Sequence, residues 1–141
     1  MIAAQILSQK GDAVFTVDPN DSISAVAGQL HEKGVGALVV TDASGVVGVF
    51  SERDLTRMVA RHGVAALTLR VRDGMSTSVV TAEPHENLDD MLGRMTDRRI
   101  RHLPVMKDGH LVGVLSIGDL VKSKIATIEA DAQAMREYIT A

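Results

Sequence analysis

Two pairs of side chains in this 141-residue chain are spaced to act as hydrogen-bonding clamps: Ser51 with Asp54, and Ser116 with Asp119. A hydroxyl and a carboxylate three residues apart, at a turn from strand into helix, can both face one cleft. An ionised carboxylate only accepts hydrogen bonds, and it can take both hydroxyls of a ribose. The pairs are copies of each other, displaced by 65 positions. Val47-Gly48-Val49, Ser51, Asp54 and Leu55 return as Val112-Gly113-Val114, Ser116, Asp119 and Leu120. Thr16 and Pro19 return as Thr81 and Pro84, and Leu38 and Val40 as Leu103 and Val105. The competing reading makes Asp54 and Asp119 helix N-caps, with Ser51 and Ser116 closing turns. A repeat that carries polar positions along with apolar ones favours a duplicated site.

Composition narrows the chemistry. A net charge of −3 argues for neither nucleic acid nor an acidic substrate. One Tyr, two Phe and no Trp leave no platform for stacking bases. No apolar run reaches the ~20 residues of a membrane span, and the amino terminus lacks the pattern of a signal peptide. The absence of Cys removes disulfides and thiolate sites and fits a reducing cytoplasm. His31, His62, His85 and His110 are scattered, which predicts surface positions and no metal site. The copied Ser has no His at a fixed spacing and there is no Gly-rich phosphate loop, so an enzyme is disfavoured.

The elements that must position the clamps recur in the same order in each copy. Asp18-Pro19-Asn20-Asp21 turns into an N-cap at Asp21 or Ser22, and Ile23, Val26, Ala27 and Leu30 form a helical stripe. Asn87 caps the second stripe, Leu88, Met91, Leu92 and Met95. Gly34 ends the first helix, and Arg98-Arg99 stand where the second should end. Strands are predicted over 35–40 and 46–50, then over 100–106 and 111–115, the latter joined by the hairpin signal Asp108-Gly109. Pro104 cannot donate to a ladder, so its strand is an edge or its amide position faces away from pairing. Leu55, Met58 and Val59 mark a helix ended by Gly63. The last helix starts near Asp119 and runs towards Tyr138, with Val121, Ile125, Ile128, Ala132, Met135 and Ile139 on one coiled-coil-like stripe.

These residues resemble a known family. Gly48-Val49-Phe50-Ser51-Glu52-Arg53-Asp54-Leu55 and Gly113-Val114-Leu115-Ser116-Ile117-Gly118-Asp119-Leu120 are similar to the signature of the CBS domain, named for cystathionine β-synthase. Val71-Arg72-Asp73-Gly74-Met75 resembles its repeat-opening segment, and Arg101-His102-Leu103-Pro104-Val105 its basic-Leu-Pro-Val strand. Gln9-Lys10-Gly11 departs, reading as an insertion before Thr16. The resemblance implies a stand-alone, bacterial-type tandem pair, a Bateman module: mixed α/β (α+β), each repeat a three-stranded sheet with two helices, packed about a pseudo-twofold axis. Residues 1–67 would be the first repeat, 68–127 the second and 128–141 a C-terminal helical extension.

The resemblance also implies a non-catalytic regulatory module that binds an adenine nucleotide (AMP, ATP, ADP or NAD) in a cleft between repeats. It implies a homodimer, and an effector protein not named by the sequence. Ser51 and Asp54 would hold one ribose, Ser116 and Asp119 another. Phe15, Thr16, Val80 and Thr81 would flank adenine. Arg101, His102, Arg53 and Arg98 would meet phosphate, although Arg98 and its neighbours also fit a solvated basic edge. Cations are shared unequally: Gly36 and Ala37 stand where the second copy has Arg101 and His102, and Gly118 where the first has Arg53. The second copy is therefore expected to hold the better site, with Arg53 serving its phosphate across the twofold axis. The alternatives are a structural dimerisation module with vestigial clefts and a nucleotide-hydrolysing enzyme.

Overall fold

A computed structural model describes residues 1–11 and 13–140. The chain divides into two compact units, one of residues 15–80 and one that joins 1–14 to 81–141.

In the unit of 15–80, β1 (Thr16–Val17) lies parallel to β2 (Ala37–Asp42), which pairs antiparallel with β3 (Gly45–Ser51). The helix α2 (Ile23–Lys33) begins at Ser22, whose side chain accepts the Ala25 N–H at 3.1 Å, and ends at Gly34 in the left-handed conformation. Ser22 is thus the cap, and Asp21 Oδ2 accepts the Asp18 N–H instead. A second helix, α3 (Glu52–His62), follows β3 directly and stops at Gly63. Two 3₁₀ turns, Gly63–Thr68 and Val71–Asp73, complete the unit.

The unit of 81–140 repeats the plan. Its α4 (Leu88–Arg98) starts at Asn87, whose Oδ1 accepts the Asp90 N–H at 2.8 Å, and ends at Arg99 with φ 54. A hairpin of β4 (His102–Lys107) and β5 (His110–Ser116) turns at Asp108-Gly109, with φ 51 and 79, as a type I′ turn requires. Both hairpins are bulged at the same place: pairing slips beyond Val40 in one and beyond Val105 in the other, leaving Val47 and Val112 as the extra residues.

The copied apolar residues become copied cores. Ile23, Val26, Leu30, Leu38, Val40 and Phe50 are buried, and so are their counterparts Leu88, Met91, Met95, Leu103, Val105 and Leu115. Each such side chain contributes about 1.5–3 kcal/mol through burial. The four scattered histidines are exposed, as expected.

The fold class stands as expected, and the copies differ at the first strand. Where β1 pairs with β2, the second unit has, among the described residues, only a single parallel bridge, Ala82 with Val105. Pro104 is the reason. Its carbonyl accepts the Ala82 N–H at 2.9 Å, so its nitrogen also faces Ala82 and not β5. The matching Val39 donates an N–H to Phe15 O at 3.4 Å, a bond that proline cannot make.

Residues 1–14 fill a place that the repeat does not anticipate. The helix α1 (Ala3–Lys10) packs within the unit of 81–140, burying Ala3, Ile6 and Leu7. Backbone bonds from Ala3 N–H to Glu86 O and from Ala4 N–H to Pro84 O fix it, both at 2.9 Å. Gln9 and Lys10 therefore close a helix, capped by Gly11 at φ 100. The last helix, α5 (Ile117–Thr140), buries Leu120 and Ser123 and leaves Val121, Ile125, Ile128, Met135 and Ile139 exposed.

Candidate functional site

Each clamp forms where a strand hands the chain to a helix. β3 ends at Ser51 and α3 begins at Glu52; β5 ends at Ser116 and α5 begins at Ile117. The first four helical N–H groups lack partners inside the helix, so a polar residue is wanted here. The serines supply it. Ser51 Oγ accepts the Asp54 N–H at 3.3 Å and Ser116 Oγ the Asp119 N–H at 3.1 Å. The carboxylates reach back, Asp54 Oδ2 accepting the Ser51 N–H at 2.9 Å and Asp119 Oδ2 the Ser116 N–H at 2.8 Å. These are reciprocal capping boxes. The capping alternative thus had the roles reversed, since serine is the cap and aspartate sits three residues on.

The two carboxylates differ in what else they hold. Both oxygens of Asp54 are engaged: Oδ2 also takes the Ser51 hydroxyl at 3.1 Å, and Oδ1 takes Arg57 Nη1 at 3.0 Å. Its side chain is 9% exposed. Asp119 is 24% exposed, and Lys10 Nζ donates to its Oδ2 at 2.6 Å. The same ammonium donates to Val114 O at 2.6 Å. Partial burial pushes the Asp119 pKa upward, but the Lys10 hydrogen bond, the Ser116 N–H and the Lys10 charge outweigh it, so the carboxyl lies below its ordinary value of 3.8. A carboxylate has about four acceptor positions, so acceptor capacity remains at Asp119.

Arg101 and His102 are brought to the same clamp. His102 pairs with Ser116 in the hairpin register, and Arg101 O accepts the Ile117 N–H at 2.8 Å. In the other unit Ala37 pairs with Ser51 and Gly36 O accepts the Glu52 N–H at 3.0 Å, so the first clamp has the same backbone without the cations. Arg53 is exposed on the first turn of α3. Arg98 is exposed at the end of α4, on a surface groove with the carboxylates of Asp89, Asp90 and Asp97.

Of the adenine-flanking set, Phe15 is half-buried and Lys33 Nζ stands 5.1 Å from its ring centroid, a cation–π contact. Thr16 opens β1 and is exposed. Val80 is half-buried, and Thr81 O accepts Arg94 Nη1 at 2.9 Å. The same arginine is paired with Glu86, which holds that carboxyl below its ordinary value.

Sequence reasoning missed Lys10, Lys33 and Arg57. Arg57 was legible as a cation one helical turn after Asp54. Lys10 carries no local signal, because its partner is 109 positions away. Among the described residues there is no cluster of His, Asp or Glu that could hold a metal ion, and no helix long and apolar enough to cross a membrane.

A bulged hairpin feeding a Ser–Asp capping box, twice in one chain, defines a tandem module. The CBS domain family model matches residues 7–61 and 69–126, and the chain belongs to that family. It is 30% identical over 125 residues to the mitochondrial CBS domain-containing protein CBSX3 of Arabidopsis thaliana, covering 85% of this chain and 61% of that protein's length. The CBS-domain protein ATU1752 of Agrobacterium tumefaciens is similar in structure, with a TM-score of 0.85 and 44% identity over 87% of this chain and 92% of that one. The CBS domain pair of protein MJ0100, solved with 5′-methylthioadenosine and S-adenosyl-L-methionine, shares the fold at a TM-score of 0.79 and 22% identity, covering 90% of this chain and 98% of its own.

Proposed function

We propose that this protein is a non-catalytic regulatory module that binds an adenosyl compound, of the adenine nucleotide class (AMP, ADP, ATP or NAD). Ser116 and Asp119 hold the ribose, and Arg101 and His102 face the phosphate side. Ser51 and Asp54 form a second, weaker ribose site, and Arg53 is a further phosphate-side cation. Phe15 and Thr16, and in the other copy Val80 and Thr81, are the strand entries that flank adenine, and Arg98 is a subsidiary cation. The observation that carries this reading is the part-exposed Asp119 carboxylate, with acceptor capacity in reserve and two basic residues entering the same strand end. Asp54 is more buried, and both its oxygens are engaged. The adenosyl ligands of MJ0100 support the ligand class.

Calorimetric titration with AMP, ADP, ATP, NAD and S-adenosylmethionine tests the proposal. A ligand at 100 times its Kd adds about 2.7 kcal/mol of stability, which a thermal shift also reads. Absence of heat and shift with all five would refute it. Formation of product over time would make the protein an enzyme.

One observation favours a second reading, a structural dimerisation module with vestigial sites. Both carboxylates already pair with cations of the chain itself, Asp54 with Arg57 and Asp119 with Lys10.

A further inference from the structure

Lys10 stands at a strand edge that the other unit covers with backbone. In the unit of 15–80 the edge of β3 is covered by backbone: Val49 O accepts the Ser76 N–H at 2.9 Å, and Val49 N–H donates to Ser76 O at 3.0 Å. The counterpart of Val49 is Val114, and its carbonyl is met by the Lys10 ammonium. The counterpart of Asp54 is Asp119, which meets the same ammonium. One side chain thus satisfies a strand edge and neutralises a clamp. It is delivered by a helix whose start is tied to Pro84 and Glu86 and whose Leu7 abuts Gly113.

That ammonium bears on binding. Asp119 Oδ2 accepts both the Ser116 N–H and Lys10 Nζ. A ribose diol that uses both carboxylate oxygens needs the position Lys10 occupies. The lysine stem is flexible, so the ammonium can leave while α1 stays docked.

We propose that Lys10 is an affinity-setting residue of the Asp119 site, an internal cation that the ribose of an adenosyl ligand displaces. This rests on the reading of Asp119 as the ribose ligand. Lys10 makes the free protein a weaker binder than its clamp alone would be, and it loosens its hold as salt rises. A sugar that has displaced it leaves the ammonium beside the ligand, unpaired with Asp119.

Calorimetry with the full chain, titrated with adenosine and with AMP, tests this on wild type, Lys10→Met and Lys10→Arg. Lys10→Met is expected to bind adenosine about threefold tighter, within the range of one part-exposed ion pair, and AMP tighter by the same factor. Lys10→Arg keeps the wild-type affinity. Raising NaCl from about 0.05 to about 0.5 M tightens adenosine binding to wild type and leaves Lys10→Met unchanged, because only the ion pair is screened. Adenosine binding that is unchanged or weaker in Lys10→Met overturns the proposal and leaves the ribose reading intact. A loss of AMP affinity with adenosine unaffected makes Lys10 a phosphate contact and overturns it too. Binding of neither compound to wild type or Lys10→Met removes the ribose reading, and this inference with it.

Discussion

Gly113 lies so close to Leu7 that a methyl group added at Gly113 would stand 2.5 Å from Leu7 Cδ2. At its counterpart Gly48 an added methyl group would stand 2.8 Å from both Met75 Sδ and the Ser76 carbonyl oxygen, atoms of a different segment. The repeated glycine therefore answers one requirement, close cover of the last strand's edge. The cover is a helix side chain in one unit, and main chain together with the Met75 side chain in the other.

Substitution at these glycines should separate the two kinds of cover. Leu7 can change rotamer, whereas the Ser76 carbonyl is held in a bridge with Val49. Gly48→Ala is expected to destabilise by about 1–3 kcal/mol, and Gly113→Ala by less. Urea unfolding of both variants reads the difference. A larger loss for Gly113→Ala would mean that Leu7 is the more rigid neighbour.

Ligand binding should follow the carboxylates. Asp119→Asn is expected to weaken AMP binding by at least tenfold, and Asp54→Asn by less than threefold, since an engaged carboxylate has less to offer a diol. Equal losses in calorimetry would remove the asymmetry between the sites.

Acid should weaken the unit that contains α1. Asp119 lies below its ordinary 3.8 and Glu86 below its ordinary 4.5. A carboxyl depressed on folding adds stability above its unfolded value, and that stability is lost as pH falls through the folded value. The loss begins near pH 4.5 with Glu86 and continues below 3.8 with Asp119. Thermal unfolding from pH 7 to pH 3 should show a Tm that falls more gently in Glu86→Gln and Asp119→Asn than in wild type. Parallel curves would contradict the assignment.

The exposed stripe of α5 should mediate self-association. Ile128 is 55% exposed, Met135 61% and Ile139 73%, a run of apolar surface that a monomer leaves wet. Sedimentation at micromolar concentration is expected to give a dimer, and Ile128→Glu with Ile139→Glu a monomer. A monomeric wild type would refute this.

The repeat made most of the fold legible. Six core positions, Asn87 as a cap, the Asp108-Gly109 turn and the long last helix could all be read, because each depends on neighbours within one or two turns of chain. Strand limits shifted by one or two residues, since hairpin register and not composition decides them. The clamps were legible as pairs, but their inner logic was not. Which residue caps and which reaches back depends on where the helix begins, and Ser51 and Glu52 do not announce that boundary. Lys10 and α1 were illegible for a different reason. Their partners lie at the far end of the chain, and no periodicity reports a contact of that span. Pro104 was half legible: its missing donor was foreseen, but not that the cost would fall on the bridge to Ala82.

The placement of α1 also sets an order of events during synthesis. Residues 15–80 form a continuous unit that can close as soon as it has emerged, through contacts of modest sequence separation. The helix that precedes them must wait. Ala3, Ile6 and Leu7 leave the ribosome about a hundred residues ahead of the strand they will cover, and they stay apolar and unsheltered while the middle of the chain folds. The unit that joins α1 to 81–140 is then the last to be completed, and α1 is the element that waits longest for its partners.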